Sequence, residues 1–124
     1  MTRKLFTVVA GMLVAVVGFV SSAGDAAAGA VNGPSSGVHK ANASTTSTHR
    51  VEFRADQRAV VSVIGDGDTD LDIQVLDAQG NVVASDFNLD DVASVKWVPA
   101  KTGVYTIKVI NRGNVWNRYI LTHN

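Results

Sequence analysis

The sequence contains no cysteine and few aromatic residues, which make up 6% of its 124 residues. The absence of cysteine excludes disulfide bonds, thiolate zinc sites, iron–sulfur clusters and cysteine nucleophiles. Lysine and arginine together number 11, as do aspartate and glutamate, so the net charge is zero and bulk electrostatics give no support for nucleic-acid binding. The chain is also too short for two domains or for a large enzyme with a deep cleft.

Residues 1–28 are typical of a Sec-type signal peptide. A basic N-terminus precedes a 16-residue apolar run, 5–20, which contains two glycines and is followed by small residues. Candidate cleavage sites follow Ala23, Ala28 or Ala30, and we expect cleavage after Ala28. An uncleaved membrane anchor is the alternative, although the run is shorter than the about 20 residues that span a bilayer. After cleavage we expect a secreted or periplasmic protein without a stable membrane anchor.

Residues 29–48 differ in composition from both neighbouring segments. Seven of these twenty residues are serine or threonine and three are glycine, which leaves too few apolar side chains to offset the entropy of ordering the chain. We therefore predict a Ser/Thr-rich flexible tether, with the folded domain over residues 49–124. The alternative is that part of this segment pairs as an edge strand.

The apolar residues of 49–124 alternate with a period of two, which is typical of β-strands. Valine, isoleucine and threonine supply 22 of these 76 residues and leucine only four, and no window keeps the period of a helix. Turn signals such as Asp77-Ala-Gln-Gly-Asn81 separate the apolar runs. The pattern predicts an all-β fold, an antiparallel β-sandwich or jelly roll of about seven strands. Trp97 is expected in its core.

The zero net charge conceals a separation of charge along the domain. Eight aspartates and no basic residue lie between Arg58 and Lys96, whereas five basic residues and no acidic residue follow Asp91. One interpretation is that acidic and basic strands are neighbours and pair across a sheet. The other is a cation site, because alternate aspartates of an extended chain project to one side and Ca²⁺ prefers clustered carboxylates. The candidate calcium ligands are Asp66, Asp68, Asp70 and Asp72.

The alternative to a calcium site is a solvated acidic turn in which Asp70 or Asp72 caps backbone amides. A helix-flanked calcium loop is rejected, because Leu71 stands where that loop requires glycine and the flanking segments are predicted strands. Ca²⁺ is thus the one cofactor that the sequence suggests, as a loop-bound ion.

Catalytic motifs are absent from the sequence. It has no Gly-x-Ser-x-Gly elbow and no His-Glu-x-x-His helix. His39 lies in the predicted tether, His49 at its end and His123 beside the C-terminus, where a triad histidine would be poorly held. We therefore predict that the protein is not an enzyme.

A ligand site is expected in the segment 111–118, where Trp116 lies among asparagines and arginines. An exposed tryptophan flanked by amides suits stacking on sugar rings or gripping an extended peptide. The candidate ligand contacts are Trp116, Asn114 and Asn117. The alternative is that Trp116 folds over an open end of the sandwich and has a structural role.

Four short motifs stand in a characteristic order: Gly65-Asp-Gly-Asp-Thr-Asp-Leu-Asp72, Trp97-Val-Pro99, Thr102-Gly-Val-Tyr105 and Asn111–Tyr119. Together they resemble the bacterial pre-peptidase C-terminal domain. The resemblance implies a small β-sandwich of the kind appended to secreted proteases, with a non-catalytic role in secretion, solubility or attachment. Related collagen-binding modules bind calcium, which supports a site within 66–72. We expect the module to stand alone, without a fused protease, and to act in trans or as an envelope protein.

The sequence therefore predicts a secreted, non-catalytic accessory module that binds a polysaccharide or another extracellular partner. The alternative is a structural or interaction protein of the cell envelope that partners or modulates a secreted hydrolase. The two hypotheses share the fold and differ in the surface that is used.

Overall fold

A computed structural model of the chain describes residues 29–124, and the predicted signal peptide lies outside the described residues. Within 29–124 the chain forms eight strands and no helix, so this part holds no helix that is long and apolar enough to cross a membrane. The strands are β1 (Ser35–Ala41), β2 (Thr46–Phe53), β3 (Ala59–Ile64), β4 (Leu71–Leu76), β5 (Val82–Asp86), β6 (Val92–Trp97), β7 (Gly103–Asn111) and β8 (Asn117–His123).

The strands form two four-stranded sheets, with the order β1-β8-β3-β6 in the first and β2-β7-β4-β5 in the second. Every pair of neighbouring strands is antiparallel. The predicted all-β sandwich is confirmed, with eight strands in place of about seven. The predicted turn at 77–81 joins β4 to β5, as a hairpin signal at that position requires.

The core lies between the two sheets and consists of the inward residues of the alternating strands. The ring of Phe53 packs edge-on against Trp97 at 5.0 Å and against Tyr105 at 6.1 Å between ring centroids. Trp97 is half-buried against the core, as expected. Each fully buried aliphatic side chain stabilises the fold by about 1.5–3 kcal/mol. Because the chain has no disulfide, this burial carries most of the stability.

Residues 29–48 contribute β1 and the first part of β2, which corrects the prediction of a flexible tether. β1 pairs with β8 along its whole length, from Ser35 opposite His123 to Ala41 opposite Asn117. Ala30 is fully buried in the core as well. The alternative of an edge strand is what the structure shows. The composition of 29–48 predicted a tether, because it has few apolar residues. β1 needs few apolar side chains of its own, since main-chain hydrogen bonds to β8 stabilise it.

β1 and β2 follow each other in sequence but belong to opposite sheets. Each is an edge strand, since β1 pairs with β8 alone and β2 with β7 alone among the described strands. The connection 42–45 turns sharply between them, and Ser44 has a φ of 55°, in the left-handed region. One side of the sandwich is therefore bounded by two edge strands that no backbone ladder joins.

We expect residues 49–124 on their own to lose the cooperative unfolding transition that residues 29–124 show. Without 29–48, β8 has no neighbour on one side, and β7 loses the first three residue pairs that β2 makes with it. Small domains have a small free energy of unfolding, and we expect the loss of one strand from a sheet to cost more than that free energy. Thermal unfolding followed by circular dichroism measures this. A cooperative transition of 49–124 within a few degrees of that of 29–124 would contradict it.

Candidate functional site

Four connections meet at one end of the sandwich, which we call the loop end. Their main chains are joined directly: the Gly65 N–H donates to the Asp91 carbonyl at 2.8 Å, and the Arg112 N–H donates to the Asp70 carbonyl at 3.0 Å. The fold thus brings the predicted acidic segment and the predicted tryptophan loop to one place. The four connections are 42–45, 65–70, 87–91 and 112–116.

The amide of Asn117, the first residue of β8, joins two of these connections to that strand. Its Oδ1 accepts the Asp66 N–H at 3.0 Å, and its Nδ2 donates to Thr69 Oγ1 and to Asp91 Oδ1, both at 2.7 Å. The side chain is 0% exposed, and its donors and acceptor are occupied. This corrects the prediction that Asn117 contacts a ligand, because its position at the start of β8 directs the amide into the loop end.

Asn111, the last residue of β7, fixes the tryptophan loop in the same way. Its Nδ2 donates to the carbonyls of Ala41, Asn42 and Val115, and its Oδ1 accepts the Gly113 N–H at 2.9 Å. This role of Asn111 was not predicted from the sequence. The one feature of the sequence that indicates this role is the position of an asparagine at the end of an alternating strand, where its side chain can hydrogen-bond to main-chain groups of the following turn.

The four predicted calcium ligands do not form a single cluster. Asp66 accepts the main-chain N–H groups of Asp68 at 3.3 Å and Arg118 at 3.1 Å. Asp91 Oδ2 accepts the N–H of Gly67. These carboxylates therefore cap backbone amides, as they would in the predicted acidic turn. The capping residues are Asp66 and Asp91, whereas the sequence suggested Asp70 or Asp72. The negative charge of Asp66 is the main cause that raises the pKa of Asp68.

Asp70 and Asp72 form a separate pair. Asp72 is buried, and its Oδ2 forms an ion pair with Arg112 Nε. The Oδ1 atoms of Asp70 and Asp72 are buried without a hydrogen-bond partner in the described residues. Burial, followed by the charge of Asp72, raises the pKa of the Asp70 carboxyl. This pair is the part of the predicted calcium site whose oxygens have capacity for a cation or a proton.

No group of three or more histidine and acidic side chains within 29–124 is arranged to hold a metal ion. The predicted cross-strand pairing of acidic and basic residues is likewise sparse, since Asp72–Arg112 is the one ion pair in this part of the chain. The predicted alternative of an acidic turn describes several of these aspartates, because Asp66, Asp77 and Asp91 accept main-chain N–H groups. The calcium site stays a prediction.

Exposed aromatic and aliphatic side chains also lie at the loop end. Trp116 is 47% exposed, and the Nζ of Lys40 lies 4.9 Å from its ring centroid, a cation–π contact. The guanidinium of Arg112 lies 5.5 Å from the ring of Phe87. Leu89 is 88% exposed. Trp116 therefore lies outside the core and faces solvent, which disfavours the alternative that it closes the end of the sandwich.

An aliphatic row also crosses the outer face of the first sheet. Its four members are successive cross-strand partners and are between 39% and 63% exposed. Sequence periodicity did not find this row, because its members come from four strands whose register the sequence does not reveal. They are Val38, Ile120, Ile64 and Val92.

Comparisons with protein-family models and with curated proteins find no match to this chain.

Of the three predicted ligand contacts, Trp116 and Asn114 are exposed at the loop end and Asn117 is buried. The loop end thus combines a fixed indole, exposed aliphatic groups and a carboxylate pair with unpartnered oxygens. The exposed indole can stack on a flat ligand, and the Asp70–Asp72 pair can, separately, accept a cation or a hydrogen-bond donor.

Asp70→Asn and Asp77→Asn are expected to change stability with opposite pH dependence. The raised pKa of Asp70 means that its charged form destabilises the folded state, so Asp70→Asn should raise Tm at pH 7. This gain should vanish below about pH 3.9, where the carboxyl is protonated in both states. The main-chain N–H of Asn81 is the main cause that lowers the pKa of Asp77, so Asp77→Asn should lower Tm at pH 7.

The stabilisation by Asp77 is present above about pH 3.9 and is lost as the pH falls through the lowered folded pKa. Thermal melts of both variants and the parent protein between pH 3 and pH 8, in the presence of a chelator, measure the two profiles. Shifts of the same sign in both variants at pH 7 would contradict the assignment.

Proposed function

We propose that the protein is a non-catalytic binding module that recognises an extracellular polysaccharide or protein through the loop end. The observation that carries this proposal is Trp116, whose indole is half exposed although the chain on both sides of it is fixed. Flat aromatic side chains on a rigid frame are common binding elements, because they bury a large area at little cost in conformational entropy.

The frame around Trp116 is built from buried amides. On one side, the Val115 carbonyl accepts from Asn111 Nδ2 at 2.9 Å. On the other side, Asn117 is fully buried and hydrogen-bonded to the loop 65–70. Lys40 lies against the ring from β1. The indole is thus held before a ligand arrives, which supports a binding role over a purely structural one.

Calcium enters this proposal as a stabilising ligand at the Asp70–Asp72 pair. The two buried, unpartnered oxygens fit a hard cation, which prefers carboxylate oxygen. Two carboxylates are fewer than the about 6–8 oxygen ligands that Ca²⁺ takes, so water would complete the shell and binding would be weak. Asp66 is not included in this site, because its oxygens already cap main-chain amides.

We expect millimolar Ca²⁺ to raise the Tm of the protein in proportion to saturation, because an ion that binds only the folded state stabilises it. Asp70→Asn should abolish the increase, and Asp77→Asn, at the opposite end of the sandwich, should leave it intact. Differential scanning calorimetry from chelator to millimolar Ca²⁺ measures the effect. A Tm that does not change over this range would remove calcium from the proposal and leave the role of Trp116 untouched.

We also propose that the module is exported and of the pre-peptidase C-terminal type. In support, Leu71 and Tyr105, from two of the resembling motifs, are buried core residues. The Arg54 N–H donates to the Gly29 carbonyl, and the Ala30 N–H donates to the Asn124 carbonyl. Cleavage after Ala30 would remove both bonds, whereas cleavage at either earlier candidate site keeps them. The intact mass of the exported protein tests this, and retention of the leader would contradict it.

The aliphatic row on the first sheet favours a second candidate function, an envelope protein that docks on a secreted hydrolase. Contiguous exposed apolar groups are typical of protein–protein interfaces. In this alternative, binding depends on Ile64 and its neighbours in the row, and Trp116 contributes little. The two functions therefore predict opposite results for variants of Trp116 and Ile64.

Trp116→Ala is expected to weaken retention on the polymer by about tenfold or more, whereas Trp116→Phe keeps an aromatic ring and should keep most of it. Ile64→Thr is the matched control on the first sheet and should bind like the parent protein. Pull-down on insoluble cellulose, chitin and collagen measures retention. The second candidate replaces the first if Trp116→Ala binds the polymer as strongly as the parent protein does. It also does so if Ile64→Thr, and not Trp116→Ala, fails to co-purify with an exported hydrolase.

A further inference from the structure

Two histidines and a tyrosine meet in the gap between the edge strands β1 and β2. His39 comes from β1, His49 from β2 and Tyr119 from β8, where Tyr119 is the cross-strand partner of His39. The ring centroids of His39 and His49 are 4.5 Å apart, and those of His39 and Tyr119 are 5.5 Å apart. The three rings therefore fill the side of the sandwich that no backbone ladder closes.

Tyr119 is placed to orient His49. Its hydroxyl lies 2.7 Å from His49 Nε2, and the tyrosine ring is buried, which raises the pKa of the phenol and keeps it protonated. When Nε2 carries the imidazole proton, it donates to the phenol oxygen and leaves the Nδ1 lone pair available. Histidines that bind metal ions are oriented in this way, by donation from the ring nitrogen that does not bind the ion.

The spacing of the two imidazoles suits a shared ion. Metal–imidazole bonds are about 2.0–2.1 Å long, so two rings on one ion have centroids about 5 Å apart. The 4.5 Å between His39 and His49 is close to this value. Both histidines are half-buried, so an ion and its water ligands can reach them from solvent. Burial and the nearby charge of His39 lower the pKa of His49, which favours the neutral donor form near pH 7.

We propose that His39 and His49 bind one divalent transition-metal ion, Cu²⁺ or Zn²⁺, with Tyr119 as the positioning residue for His49. Imidazole nitrogen suits these ions, and Cu²⁺ is expected to bind more tightly than Zn²⁺. Water completes the coordination, since the site offers two protein ligands. The ion links β1 to β2 and so joins the two sheets on their open side, in a chain that has no disulfide to do so.

The site is tested by titration of the untagged protein with Cu²⁺ and, separately, with Zn²⁺, by isothermal calorimetry and by thermal melts. We expect binding of one ion per chain and a rise in Tm. His39→Ala and His49→Ala should abolish both. His123→Ala is the matched control and should keep both, because His123 packs on Phe53, with ring centroids 5.7 Å apart, and its Nδ1 bonds the Asn124 carbonyl. Asp70→Asn should also keep both, which separates this site from the loop end.

Tyr119→Phe keeps the ring and removes the oxygen that accepts from His49. It is expected to weaken the affinity about 10–100-fold without abolishing binding, as for other groups that orient a metal-bound histidine. Affinity should also fall at acidic pH, because the ion binds only deprotonated ligands. The electron paramagnetic resonance spectrum of the Cu²⁺ complex gives a readout that does not depend on the stability of the variants. It should show hyperfine coupling to two imidazole nitrogens, both in the parent protein and in His123→Ala.

The proposal is overturned if the parent protein binds neither ion with saturation, or if both histidine variants bind as the parent does. Coupling to a single nitrogen in the Cu²⁺ complex of the parent protein, or equal loss of binding in His123→Ala, would also overturn it. None of these results bears on the role of Trp116 at the loop end.

Discussion

The antiparallel ladder between β1 and β8 holds three side-chain arrangements in place at once. It sets His39 opposite Tyr119, brings Lys40 against the ring of Trp116, and carries the carbonyl of Ala41 to the amide of Asn111. The main-chain bonds of a single edge strand therefore position both the exposed indole and the imidazole pair. An edge strand is also the least protected part of a sheet, so both sites share the weakest part of the fold.

The local periodicity of apolar residues was enough to predict the central strands but not the edge strand β1. The alternating residues of β4 and β7 are buried as their period of two predicts, because both strands have neighbours on both sides and one face on the core. β1 has one neighbour and is rich in serine and glycine, so its stability comes from β8 and is not visible in its own composition. The partners of Asn117 at the loop end lie 26 to 51 residues away, beyond the reach of any local pattern.

The four aspartates at 66–72 show how one assumption about the backbone changes a predicted site. In an extended chain they would project to one side, but the segment is a loop, and Gly67 has a φ of 94°, which turns the chain between Asp66 and Asp70. Two of the four aspartates end on the capped turn and two beside Arg112. The number and type of the carboxylates can be read from the sequence. Which of them lie together depends on the conformation of the loop, which the sequence does not reveal.

The charge separation along the chain has a physical cause in these turns. Asp66, Asp77, Asp86 and Asp91 each accept at least one main-chain N–H, so they are stabilised without a lysine or arginine partner. Basic residues are therefore not required in the acidic part of the chain. Asp70 and Asp72 are different, because each has a buried oxygen without a hydrogen-bond partner in the described residues. The imidazoles of His39 and His49 meet where no backbone ladder joins β1 to β2, and at such a position a bound ion adds most to the stability of a small domain without disulfides.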